Sequence, residues 1–167
     1  MTNSKVKVAV GMSGGVDSSV AAYLLTESGY EVKGIFMKNW EEDDSDECSS
    51  KEDYEDARRV CKHLGIELNL VNFSDKYWTN VFETFIQELK KGFTPNPDIF
   101  CNKEIKFKQY YDYAMSLNFD LIATGHYARK ENISEPELHI PKDIIKDQTY
   151  FLYMMKQNVL RNTLFPL

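Results

Sequence analysis

Short runs of β-branched and aliphatic residues alternate along this chain with stretches whose apolar residues recur every three to four positions. Residues 6–10 read as a strand closed by Gly11, and a helix follows with Val20, Ala21, Leu24 and Leu25 on one face and Gly29 as its stop. Residues 32–37 predict a second strand. Tyr54, Ala57, Val60, Cys61 and Leu64 then mark a second helix that stops at Gly65. Residues 68–71 predict a third strand. A third helix carries Trp78, Val81, Phe82, Phe85, Ile86 and Leu89 as a stripe expected to be core rather than a base-stacking platform. Two prolines in residues 94–98 exclude a helix interior there. A fourth helix follows with Phe107, Tyr110, Tyr111 and Ala114 inward, and residues 120–124 read as a fourth strand ended by Gly125. Beyond 126 the pattern degrades. Residues 130–147 are polar with two prolines, which predicts an irregular excursion. Pro141 cannot donate to a ladder, which argues against a hairpin around 138–143.

Strands alternating with helices predict an α/β fold with a mainly parallel, doubly wound sheet and right-handed crossovers. Ligands then bind at the carboxyl ends of the strands, after Val10, Met37, Val71 and Ala123. Residues 1–129 are expected to form the catalytic domain, and 130–167 the excursion and the start of a second region. At 167 residues, 43% hydrophobic and 28% charged, the composition is that of an ordinary globular protein. No apolar run approaches a membrane span and the first residues lack a signal-peptide core, so a cytoplasmic protein with no membrane partner is expected. Three cysteines at irregular spacing argue against a disulfide framework, and the absence of Cys-x-x-Cys argues against a zinc site, so no metal-binding side-chain cluster is expected. Cys48 reads as incidental and Cys61 as core.

Charge adds a second layer. Residues 41–56 hold ten acids and one base, a local −9 that reads as a mobile loop in its first half. The overall −6 therefore leaves +3 on the rest of the chain. Lys90, Lys91, Lys103, Lys106 and Lys108 face only Asp98 and Glu104 between positions 90 and 108, a balance that suits either a polyanion partner or a solvated face.

Two segments carry chemistry. Between the first strand and first helix lies Ser13-Gly14-Gly15-Val16-Asp17-Ser18-Ser19, where small residues let backbone N–H groups approach a phosphate at a helix N-terminus and the serines add hydroxyls. The Gly-Lys-Ser/Thr ending of the common P-loop and the Gly-x-Gly-x-x-Gly spacing of dinucleotide folds are both missing. The second segment places Cys101 at the mouth of the fourth helix, where the helix N-terminus and nearby lysines predict an enriched thiolate. Asp98 reads either as a cap for that helix or as a proton acceptor or donor beside the thiol. Cysteine chemistry alone leaves a buried structural role for Cys101 equally open.

The first segment resembles the PP-loop of ATP pyrophosphatases, whose members release pyrophosphate while adenylating a substrate oxygen. With residues 36–40, 94–98, 101–107, 123–129 and 146–152 it resembles the N-terminal half of the bacterial tRNA-specific 2-thiouridylases, the MnmA family, across essentially the whole chain. The resemblance implies a fold of the PP-loop, adenine nucleotide alpha-hydrolase-like type. It implies ATP with Mg²⁺, the wobble uridine of tRNA as substrate, and a sulfur-carrier protein or cysteine desulfurase system as sulfur donor. Adenylation of the uridine C2 oxygen would be followed by sulfur transfer from a cysteine persulfide. Carried over by position, Gly11, Met12, Ser13, Gly14, Gly15, Val16, Asp17, Ser18, Met37 and Gly125 would bind ATP, and Cys101 with Asp98 would be catalytic. Asn96, Pro97 and Asp98 would contact the target base, and His126, Lys146, Asp147 and Gln148 the tRNA. The family's second catalytic cysteine lies in a Gly-Ile-Cys segment that has no match in these 167 residues, and its later domains have none either. The chain alone is therefore expected not to complete thiolation. The alternatives are another PP-loop enzyme, such as an amidating ligase, or a non-catalytic ATP- or RNA-binding module.

Overall fold

The computed structural model describes residues 5–39, 49–132 and 134–167. Trp40, Cys48 and the acidic run at 41–47 lie outside the described residues. Strands β1 (Lys7–Met12), β2 (Glu31–Lys38), β3 (Leu68–Asn72), β4 (Leu121–Ala123) and β7 (Thr163–Leu164) form one parallel sheet in the order β3-β2-β1-β4-β7. The last of these is a strand the sequence pattern does not announce. Its two residues return the chain to the sheet after the excursion. Residues 129–140 hold an antiparallel hairpin, β5 (Arg129–Asn132) and β6 (Pro136–His139), in place of the expected irregular run. Its ladder ends before Pro141, and Pro136 sits at its terminal pair, where a missing donor costs little.

Central strand β1 is buried on both faces from Val8 to Met12, so period-2 alternation sends its side chains into two cores. Val8, Val10 and Met12 join Ala22, Leu25, Val32, Phe36, Ala57 and Cys61 on the face covered by α1 (Val16–Glu27) and α2 (Ser49–Leu64). Ala9 joins Ile35, Val81, Ile105, Phe107, Tyr110, Ala114 and Ile122 on the other. Cys61 is core as expected, and loss of water pushes its thiol up to about 11.

Two helical expectations are corrected. Helix α1 buries Ser18, Ala21, Ala22 and Leu25, while Val20 and Leu24 are more than a third exposed. Ser18, Ala21 and Ala22 face inward together with Leu25, and Val20 lines the groove between α1 and α2. The third helix is α3 (Ser74–Tyr77), a π-helical turn (Trp78–Phe82) and α4 (Glu83–Lys90). The change in winding leaves only Val81 of the expected stripe fully buried. Trp78 is half exposed, its indole N–H donating to Glu83 Oε1 at 3.1 Å. The fourth helix turns Phe107, Tyr110 and Ala114 into the core as expected, with Tyr111 packed beside them; it comprises α5 (Pro97–Phe100), a π-helical stretch (Cys101–Gln109) with a break at Phe107, and α6 (Tyr110–Ser116).

The strand order fixes where a ligand fits. From β1 the chain moves to β2 and β3 on one side, and β4 takes the other side. Loops leaving β1 and β4 therefore diverge, opening a crevice at their carboxyl ends.

Candidate functional site: two cavities with a common wall

The loop after β1 enters that crevice. Ser18 Oγ accepts from Ser13 N at 3.2 Å, lies 3.2 Å from Ser13 Oγ and donates to Gly15 O at 3.1 Å. The two serines fold the loop into a tight cup at the start of α1. Gly15 is the N-cap and offers no side chain, so the first-turn N–H groups are not capped by one. Gly14 has φ +84 and presses on the backbone of Asp53 in α2. A cavity of about 200 Å³ opens here, lined by Gly11, Met12, Ser13, Asp17, Ser18, Met37 and Gly125 among the expected nucleotide residues. Gly14 and Val16 instead line the α1–α2 groove, as does Ser19, whose hydroxyl turns back to Gly15 O at 2.8 Å.

A second cavity of about 230 Å³ is lined by Asp98, Cys101, Asn102, Lys106, His126, Gln148 and Phe151. Lys106, His126 and Gln148 line both cavities and form their common wall. The helix that carries Cys101 is capped by Asn96, whose Oδ1 accepts from Asp98 N at 2.9 Å with Pro97 in the first turn. That corrects Asp98 as the cap and leaves its carboxyl in the cavity with the thiol. The expected thiolate enrichment is also corrected. Burial raises the Cys101 thiol and Asp98 adds to this, while the nearby Lys106 charge pulls it down without prevailing. At neutral pH the thiol is held protonated.

His126 is packed against Phe107, ring centroids 5.7 Å apart, and its Nδ1 shares a 2.8 Å hydrogen bond with Thr124 Oγ1. Burial, and then the Lys106 charge, push its pKa down to about 3. It is a neutral imidazole, so any contact it makes to phosphate is a hydrogen bond and not an ion pair. A histidine that stays neutral when folded but protonates when unfolded makes stability rise with pH between the folded value and about 6.5. His126→Gln is expected to flatten that dependence, by at most ~1.4 kcal/mol per pH unit. Urea midpoints at pH 5 and pH 7 check this; an unchanged slope contradicts it.

The remaining expected tRNA residues are tied to the crevice rim. Gln148 Oε1 accepts from Tyr127 N at 2.9 Å. Tyr127 donates its hydroxyl to Asp17 Oδ1 at 3.2 Å, and Lys146 lies over the Tyr127 ring, 4.6 Å from its centroid. Asp147 is turned to Thr149, accepting from its N at 2.9 Å and Oγ1 at 2.7 Å.

Four lining residues are absent from the sequence-derived set: Asn102, Lys106, Thr124 and Phe151. Asn102 is almost fully buried, and its Oδ1 has no hydrogen-bond partner. Lys106 escapes a 3.6-residue reading because it lies five residues beyond Cys101. In an α-helix that spacing faces away, whereas i→i+5 winding widens the turn and brings the two toward one face. Among the described residues no group of three or more His, Cys, Asp and Glu is placed to hold a metal ion. No helix among them is long and apolar enough to cross a membrane.

Comparison with known proteins adds the lineage. The sequence model described as tRNA methyl transferase HUP domain matches residues 6–167. The chain belongs to this family. It is 58% identical over 167 residues to a protein of Tolumonas auensis named tRNA-specific 2-thiouridylase MnmA, covering 98% of this chain and 45% of that one. A Pseudomonas entomophila protein of the same name is 57% identical over 165 residues, with 98% and 44% covered. The chain thus spans a little under half the length of these curated relatives. A solved U34-tRNA thiolase, NcsA from Methanococcus maripaludis, superimposes with a TM-score of 0.52 at 32% identity, over 74% of this chain and 39% of that one.

Proposed function

We propose that this family member holds ATP and a target uridine side by side and carries the catalytic centre of tRNA 2-thiolation. The observation that carries the reading is the wall of Lys106, His126 and Gln148 shared by the serine-glycine cup and the Cys101 cavity. A nucleotide in the first cavity and a base in the second would meet across it.

In this reading the cup around Gly11–Ser18 receives the phosphates through backbone N–H groups and serine hydroxyls, with Met37 and Gly125 beside the adenosine. Asp17 is the one carboxylate among the described residues that line this cavity, and it suits a hard cation that also takes phosphate oxygens. Mg²⁺ held there would neutralise charge on the leaving pyrophosphate. A wobble uridine must leave its stack to enter the second cavity. There Asp98 and Phe151 line the cavity, Phe151 as an aromatic wall, and Asn96 and Pro97, which start the helix carrying Cys101, would contact the base from the entrance. The uridine O2 bonds to the α-phosphorus as the bond to the β-phosphate oxygen breaks and pyrophosphate departs. A persulfide sulfur then bonds to C2, and AMP leaves with the former O2. The S–S bond is finally cleaved by a second thiol, which leaves a disulfide and sulfur on the base. Cys101 is one of the two cysteines in this exchange, and Asp98 accepts or supplies the proton beside it. The sulfur comes from a carrier protein or a cysteine desulfurase system, and the setting is the cytoplasm, where thiols stay reduced.

Titration of the chain with Mg-ATP tests the nucleotide half. Ser18→Ala, which removes the hydroxyl that closes the cup, is expected to weaken binding roughly tenfold. Cys101→Ser is expected to leave it unchanged. Equal affinities for wild type and Ser18→Ala would place the nucleotide elsewhere.

A further inference from the structure

We propose that Lys106 is a catalytic residue common to both half-reactions, its ammonium serving the nucleotide phosphate on one side of the shared wall and the sulfur anion on the other. The inference rests on the thiolation reading for its ligands, and its geometry stands separately.

The basic stretch at 90–108 is not a uniform patch. Lys91 pairs with Glu88 at 2.9 Å. Lys103 and Lys108 both pair with Glu104, at 3.3 and 2.6 Å. Burial opposes ionisation of Glu104, but these two lysines outweigh it and hold its carboxyl below its usual range. Lys106 has no carboxylate within ion-pair distance among the described residues, is half-buried, and lines both cavities. A half-buried cation without a counter-ion is unfavourable unless an anion arrives. The cup on one side lacks the lysine of the common P-loop, so Lys106, which lines that cavity as well as the one around Cys101, is the cation placed to meet an anion in either.

The backbone explains the placement. The winding of Cys101–Gln109 turns Lys106 toward the face of Cys101, and the break at Phe107 (φ −104, ψ 18) kinks the helix one residue later. Phe107 is buried, and Tyr110 donates its hydroxyl to Ala9 O at 2.8 Å, so the helix is anchored to the sheet just after the lysine. No bond to Lys106 forms or breaks. Its charge offsets the negative charge that collects on the α-phosphate as pyrophosphate leaves, and then the charge on sulfur as the thiolate or persulfide is exposed.

Charged or titratable groups bear on the Cys101 sulfur from several elements: Asp98 from α5, Tyr77 from α3, Lys106 from the same helix and neutral His126 from the loop after β4. Only Lys106 among them favours the thiolate.

The test is the pH profile of Cys101 alkylation by iodoacetamide in the 167-residue chain, followed by peptide mass spectrometry. It is paired with Mg-ATP titration and a thermal unfolding check. Lys106→Met is expected to slow Cys101 alkylation at pH 7 by roughly three- to tenfold and to move the profile to higher pH. It is also expected to weaken Mg-ATP binding roughly tenfold, at an unchanged unfolding temperature. Lys106→Arg is expected to restore the alkylation profile and most of the binding. A Lys106→Met profile superimposable on wild type overturns the proposal, as does a loss that Lys106→Arg does not recover. Failure of the thiolation reading looks different: wild type would not bind Mg-ATP at all, while the alkylation comparison would still report on Lys106.

Discussion

Gly14→Ala is expected to destabilise the protein by about 3 kcal/mol and to lower Mg-ATP affinity at least ~100-fold. Two effects add. The residue sits at φ +84, where an L side chain costs about 1–2 kcal/mol. A Cβ there would also lie 2.4 Å from Asp53 O and 2.8 Å from Asp53 Cα, backbone atoms of α2 that cannot retreat unless the helix moves. The loop must then lift away from α2, and the cup it closes with Ser13 and Ser18 opens. Gly29→Ala is the control. Its φ of +86 is the same, but nothing lies within 4 Å of the added carbon. It should lose only the backbone part, about 1 kcal/mol, and leave nucleotide binding intact. Chemical denaturation and Mg-ATP titration of the two variants check this. Equal losses in both would mean that contact with α2 does not shape the cup.

Tyr110→Ala should produce the second large effect, a loss of ~3–5 kcal/mol. The ring, at the start of α6, is fully buried against the two central strands. Its hydroxyl donates to Ala9 O at 2.8 Å and lies 3.4 Å from Ala123 O, spanning β1 and β4 at the point where the crevice opens. Removing the ring leaves a cavity under the helix that carries Cys101 and Lys106. Tyr110→Phe removes only the hydrogen bond and should lose about 1 kcal/mol. Urea unfolding of both variants gives the ratio. A Phe variant as unstable as Ala would mean that the hydroxyl, and not the packing, holds the helix down.

The alternation of strands and helices was legible because each element of a parallel sheet carries its own periodicity. The turns at Gly29 and Gly65 mark real helix ends, each with positive φ. The serine-glycine loop and Cys101 were legible as well, since their chemistry is local. What escaped is tertiary. Strand β7 is two residues long and owes its place to pairing with Ile122 and Ala123, not to any pattern of its own. The buried face of α1 shares Ala21 and Leu25 with the expected one but takes Ser18 and Ala22 in place of Val20 and Leu24, because the direction of the sheet relative to the helix is set by tertiary packing. Lys106 reads in the sequence as one charge in a basic run, because its partnership with Cys101 depends on a helical winding that a 3.6-residue period does not anticipate. Likewise the helix N-terminus suggested a reactive thiolate, while burial, which only the fold reveals, keeps the thiol protonated.

The step we propose as central is cleavage of ATP between the α- and β-phosphates to activate an oxygen on tRNA. The direct measurement is product analysis with Mg-ATP labelled at the α-phosphate, with and without unmodified tRNA. Labelled AMP with pyrophosphate, formed only when tRNA is present and without sulfur entering the tRNA, is the predicted result. Labelled ADP with inorganic phosphate, or AMP formed equally well without tRNA, would contradict it.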